Sequence, residues 1–124
     1  MKPLWINMDI DNIRQICTSL PAVTEDIKWE HDLVFSVGNK MFCVLGIDEI
    51  PISAAFKVSH DDFEEMCERD GFMPAPYVAR YKWVKIDNVD RLSKLEWEYY
   101  IVHSYKLVKS KLTTKILRQL NIDY

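Results

Sequence analysis

Two short apolar runs separated by only two residues constrain the fold of this chain more than any other feature of its sequence. The runs cover residues 33–37 and 40–45, and Gly38 and Asn39 lie between them. Glycine and asparagine adopt positive φ angles at little cost, and a two-residue turn between twisted strands needs such angles. The sequence therefore predicts a β-hairpin, followed by a third strand at residues 52–58.

Helical patterns flank these strands. Residues 9–20 repeat apolar side chains at the 3.6-residue period of an amphipathic helix. Ser59 and Ser93 are suited to begin two further helices, the second of which is long and runs to about Lys111. The remaining predicted elements are an edge strand at 25–30, an irregular or extended segment at 73–76 and a strand at 81–86. A short helix is predicted from Thr113 or Thr114 to Leu120, either separate from the long helix or continuous with it. This order predicts an α+β fold, a two-layer sandwich with a mostly antiparallel sheet and helices packed on one face.

Length and composition predict a single globular domain over residues 1–124. The chain is 48% hydrophobic and 28% charged, as ordinary globular proteins are. No apolar stretch approaches the roughly 18 residues of a membrane span, and the amino-terminal segment does not resemble a signal peptide, so we expect a cytoplasmic protein with no membrane contact. Cys17, Cys43 and Cys67 lack metal-binding spacing, which favours structural thiols in a reducing compartment.

Positive charge is concentrated in two segments of a chain whose net charge is −3. Residues 71–86 and residues 99–122 contain several lysines and arginines but no acidic residue, whereas acidic residues dominate elsewhere. Segregation of this kind gives one surface a positive potential if the two segments meet in the folded protein.

The side chains that could carry catalysis or hold a metal do not form a recognisable set. His103 falls on the flank of the long helix beside two tyrosines, where packing is a commoner role than general-base catalysis. Acidic residues in the segment 61–68 recur at helical spacing, which is typical of a solvated helix face. The three glycines are too dispersed for a phosphate-binding loop. We therefore predict a protein that is not an enzyme and that uses no cofactor or metal.

Aromatic and basic residues alternate closely between Tyr77 and Lys85. Basic side chains attract phosphates and exposed aromatic rings stack on unpaired bases, so the pattern favours nucleic-acid binding. The competing interpretation is a strand with a core tryptophan, on which the basic residues only improve solubility.

Four segments, in this order along the chain, resemble the MmcQ/YjbR family. They are residues 20–25 (LPAVTE), 33–42 (LVFSVGNKMF), 77–83 (YVARYKW) and 103–108 (HSYKLV). The resemblance implies a two-layer α/β domain of frataxin-like (CyaY-like) shape, and it implies DNA binding through a "double wing" of helix and strand hairpins. Members commonly have Tyr-His-Met-Asn-Lys-x-His-Trp where this chain has residues 77–83, so the chain is one residue shorter there and lacks the Asn and His.

Two functions are open from the sequence. The first is a DNA-binding module of low sequence specificity, because the basic residues would contact phosphates while no helix offers a set of side chains for base edges. The second is a protein-interaction or small-ligand-binding module that uses the segment 73–83. The candidate DNA contacts are Lys40, Lys57, Arg80, Lys82, Trp83, Lys85, Lys106 and Lys109.

Overall fold

The computed structural model describes residues 8–122, which form an α+β fold with one six-stranded antiparallel sheet and four α-helices. The helices are α1 (Ile10–Thr18), α2 (His60–Met66), α3 (Lys94–Lys109) and α4 (Thr114–Leu120). The strands are β1 (Val23–Lys28), β2 (Asp32–Val37), β3 (Lys40–Gly46), β4 (Ser53–Lys57), β5 (Phe72–Pro74) and β6 (Trp83–Ile86), and their order across the sheet is β1-β2-β3-β4-β6-β5. The predicted fold class is confirmed.

The predicted hairpin is confirmed as β2 and β3. Gly38 and Asn39 both have positive φ, 58° and 64°. A Cβ on Gly38 would lie 2.7 Å from a methyl carbon of Leu112, so the turn also needs glycine because the end of the helical layer packs against it. The register shifts between Phe35 and Ser36, and this irregularity makes Phe42 the extra residue of β3.

Helix α3 forms the centre of the helical layer. Ser93 caps it, and Ser93 and Glu96 exchange the two hydrogen bonds of a capping box. The helix packs on β2, β3 and β4 through a buried stripe that includes Trp97 and Ile101. Helix α4 is a separate element, because Thr113 begins it with its own side-chain cap.

The strand predicted at 81–86 is shorter than expected. It begins only at Trp83, because residues 79–81 form a 3-10 turn in which Tyr81 N–H donates to the carbonyl of Val78 (3.0 Å). Lys82 follows with a φ of 64° and is left-handed, so it lies outside the strand that contains Val84 and Ile86. Local hydrogen bonds of the turn replace ladder bonds here.

The two outer strands of the sheet are both poor templates for a further strand. β1 exposes Glu25 and Asp26 in its centre, and Glu25 accepts a bidentate pair of hydrogen bonds from Arg14. β5 is only three residues long and ends at Pro74, which has no N–H to donate. Within residues 8–122, no helix is long and apolar enough to cross a membrane.

Cross-strand pairing divides the sheet residues between two faces. Residues directly opposite each other on neighbouring strands share a face. One row belongs to the hydrophobic core beneath the helices: Leu33, Leu45, Ala54 and Ile86. The next row points the other way: Val34, Val44, Ala55 and Lys85.

Candidate functional site

A groove of about 520 Å³ lies on the face of the sheet opposite the core. This volume is within the range of about 300–1,000 Å³ that is usual for small-molecule sites. None of the described helices contributes a residue to its lining. The floor is formed by side chains of the central strands: Met41, Val44, Ala55 and Trp83.

Two loops form the walls of the groove. The turn between β1 and β2 contributes Trp29, whose φ is 53° and whose side chain is 62% exposed. The segment after β5 contributes residues 75–78, anchored where Ala75 N–H donates to the carbonyl of Trp83 (3.0 Å). Tyr77 in this segment also has a positive φ, 69°, and is fully exposed. The walls therefore present large aromatic surfaces to solvent on either side of a sheet floor.

One end of the groove is polar. The aligned residues Asp32, Gly46 and Ser53 cross three strands there, and Glu49 reaches over the same place from the loop after β3. The Glu49 Oε1 atom would lie 3.2 Å from a Cβ on Gly46, so the missing side chain leaves room for this carboxylate. Lys85 Nζ is 3.6 Å from Glu49 Oε1 and balances its charge.

At the polar end of the groove, the Asp32 carboxylate has no paired cation among the described residues. No basic side chain within residues 8–122 lies within ion-pair distance of it, and it is half-buried. Burial raises the pKa of the Asp32 carboxyl, and the negative charge of Glu49 raises it further, whereas His31 and Lys85 act in the opposite direction. The polar end of the groove therefore holds an excess of negative charge.

The basic residues that the sequence analysis named lie in different parts of the molecule. Lys57, Arg80 and Lys82 are near one another, because Lys57 Nζ donates to the carbonyl of Tyr81 (2.5 Å). Lys40 lies at the start of β3 beside the hairpin turn, and Lys85 lies at the acidic end of the groove. Lys106 and Lys109 are on α3, where they line a separate depression with Leu20 and Tyr105.

The cluster of Lys57, Arg80 and Lys82 has no carboxylate partner within 4.0 Å among residues 8–122. Burial lowers the pKa of Lys57, and the positive charge of Lys111 lowers it further. The Arg80 guanidinium lies 4.7 Å from the centre of the Tyr81 ring, and Lys82 Nζ lies 5.0 Å from the centre of the Phe63 ring. None of these three cations is therefore neutralised by an ion pair in the described residues.

Packing fixes the positions of two other residues that were candidates for a functional role, Trp83 and His103. Trp83 is only 7% exposed and forms part of the groove floor. His103 stacks on Tyr99 with ring centres 5.7 Å apart, and its Nε2 atom is buried without a hydrogen-bond partner. No group of three potential metal ligands occurs in the part of the chain that the structure describes.

The groove contains residues that the sequence analysis did not single out. Trp29, Asp32 and Glu49 come from turns and strand ends, and Val44 and Ala55 are small strand residues. One sequence feature could have identified two of them. Side chains alternate between the two faces of a strand, and this alternation along β3 and β4 assigns Val44 and Ala55 to the face opposite Leu45 and Phe56.

Comparisons with known proteins agree with this fold. The YjbR family model matches residues 18–107. A solved structure of a Deinococcus radiodurans protein with the domain DUF419 superposes with a TM-score of 0.81 at 23% identity, covering 92% of this chain and 88% of that one. A Pseudomonas syringae protein superposes with a TM-score of 0.66 at 18% identity, covering 82% and 99%. No curated protein matches. The family match over most of the sequence shows that this chain belongs to the YjbR family.

Proposed function

We propose that this protein is a non-enzymatic binding module that holds a small, largely apolar ligand in the groove on the open face of its sheet. The observation that carries the proposal is a cavity of about 520 Å³ with an apolar floor and aromatic walls. Small-molecule sites commonly combine such a lining with a few polar groups at one place.

Burial of the exposed aromatic side chains would supply most of the binding free energy. Tyr77 and Trp29 hold large apolar surfaces in water, and a ligand between them would remove part of that surface from solvent. Burial contributes about 25 cal/mol per Å² of apolar surface. Hydrogen-bonded strands hold the floor, so little conformational entropy is lost there on binding.

A neutral naphthalene alcohol tests the groove directly. We expect titration with 1-naphthalenemethanol to shift the indole N–H resonances of Trp29 and Trp83 in a ¹⁵N spectrum, because both indoles line the groove. The resonance of Trp97 is the internal control, since this ring is fully buried and donates to the carbonyl of Val89 (2.8 Å). It should not move.

Filling the floor of the groove should weaken this binding. The substitution Ala55→Phe places a ring in the middle of the groove and should weaken affinity at least about tenfold, a loss of about 1.4 kcal/mol. Leu95→Phe, which introduces the same aromatic side chain at an exposed position of α3, is the control. Equal affinity in both variants would exclude the groove as the binding site.

DNA binding is a second candidate, favoured by the unneutralised cluster of Lys57, Arg80 and Lys82. Phosphate contacts need positive charge, and Lys57 ends β4 while Arg80 and Lys82 come just before β6, which pairs with β4. Helix α2 follows β4 directly and carries Asp61 and Asp62 in its first turn. The positive patch is therefore small and bordered by negative charge, which is why the groove is the better supported site.

Fluorescence anisotropy with mixed duplex and single-stranded DNA tests this second candidate at low and moderate salt. If the patch binds DNA, Lys57→Gln and Lys82→Gln should each weaken binding and reduce the salt slope by about 1. Lys94→Gln is the matched control, because Lys94 lies in the first turn of α3, away from the patch. Absence of binding by the unmodified protein at low salt would rule the candidate out.

A further inference from the structure

We infer that the groove selects an organic cation, a molecule whose apolar body carries an ammonium group at the end where Asp32 lies. The inference rests on the proposed function and adds to it the chemical class of the ligand. It follows from three observations: the charge balance of the lining, the position of the carboxylates and the aromatic side chains around them.

The charge balance of the groove favours a positive ligand. Asp32, Glu49 and Lys85 are the charged side chains of its lining. Lys85 pairs with Glu49 at 3.6 Å, and no cation of the described residues lies within ion-pair distance of the Asp32 carboxylate, on which His31 and Lys85 act only from farther away. A buried or half-buried carboxylate is destabilised until a cation approaches it, so an ammonium group gains interaction energy there that a neutral group does not.

The two carboxylates converge on one place. Gly46 is the direct cross-strand partner of Asp32, and the Glu49 carboxylate lies over that same glycine. Glu49 is close enough to raise the pKa of Asp32. A ligand cation at this end would meet negative charge from β2 and from the loop after β3, and the single positive charge of Lys85 offsets only one of the two carboxylates.

Aromatic side chains complete the environment of a cation. Trp29, Tyr77 and Trp83 line the groove that Asp32 closes at one end. Indole and phenol rings attract ammonium groups through their negative faces, and the attraction grows as water is excluded. No aromatic ring among the described residues stacks on Trp29. Its indole face is therefore available to a ligand.

Three probes of one shape and different charge test the inference. Isothermal titration calorimetry would compare 1-naphthylmethylamine, 1-naphthalenemethanol and 1-naphthoate as cation, neutral molecule and anion. We expect the amine to bind at least about tenfold more tightly than the alcohol, and the carboxylate to bind most weakly. Asp32→Asn should reduce the advantage of the amine over the alcohol to less than about threefold.

The matched control is Asp61→Asn, which removes the same charge from an exposed residue in the first turn of α2, outside the groove. It should keep the preference for the amine and so separates site binding from attraction to an acidic protein. Equal affinities of amine and alcohol in the unmodified protein would overturn this inference while the groove remains a ligand site. Failure of all three probes to bind would overturn the proposed function itself.

Discussion

Replacing Trp97 with alanine should lower the free energy of unfolding by about 3–5 kcal/mol, the usual cost of removing a large buried aromatic side chain. Trp97 is fully buried, packs edge-to-face on Phe56 with ring centres 5.5 Å apart, and donates a hydrogen bond to the carbonyl of Val89. The substitution leaves a cavity and also an unsatisfied carbonyl. Urea unfolding followed by circular dichroism would measure the change.

The control for this experiment is Leu95→Ala on the same helix. Leu95 is 78% exposed, so its removal should change stability by no more than about 0.5 kcal/mol. Trp97→Phe should fall between the two, because a smaller ring remains while the N–H donor is lost. A loss below about 1 kcal/mol for Trp97→Ala would contradict the packing described above.

Replacing Ser104 with alanine should cost about 1–3 kcal/mol, although only one oxygen atom is removed. The Ser104 hydroxyl donates to the carbonyl of Phe42 (2.6 Å) and accepts from the N–H of Lys57 (3.0 Å). It therefore satisfies a carbonyl of β3 and an N–H of β4 just beyond the last residue pair of their ladder, Cys43 and Phe56. Both groups would lose this partner in the variant.

Chemical denaturation of Ser104→Ala beside Ser110→Ala measures this effect. Ser110 is exposed and donates only to the carbonyl of Leu107 in its own helix, so its replacement should be nearly neutral. If both variants unfold at the same urea concentration, the bridge from α3 to the two strands has no stabilising role.

The parts of the fold that were predictable are those with local causes. Gly38 and Asn39 specify their turn through their own φ preferences, and Ser93 with Glu96 specifies the start of α3 through hydrogen bonds over three residues. The helical period places Ser104 on the same face of α3 as Ile101 and Val108, which are buried. Its role was not predictable, because its acceptor lies 62 residues away.

The candidate site was less predictable because it depends on which strands become neighbours. β6 inserts between β4 and β5, and this placement brings Trp83 and Lys85 beside Ala55. Lys82 and Lys85 are close in sequence, yet the left-handed conformation of Lys82 separates their environments. Lys82 belongs to the positive patch, whereas Lys85 belongs to the acidic end of the groove. The distribution of charged residues along the sequence does not reveal this difference.

The acidic centre of β1 has a consequence for how copies of this protein meet. If two β1 strands paired antiparallel about their midpoint, Glu25 of one copy would face Asp26 of the other, and the like charges would repel. At the opposite margin, Pro74 interrupts the donors that another backbone would need. Growth of the sheet from molecule to molecule, the first step toward fibrils, is thus opposed at both margins by different chemistry.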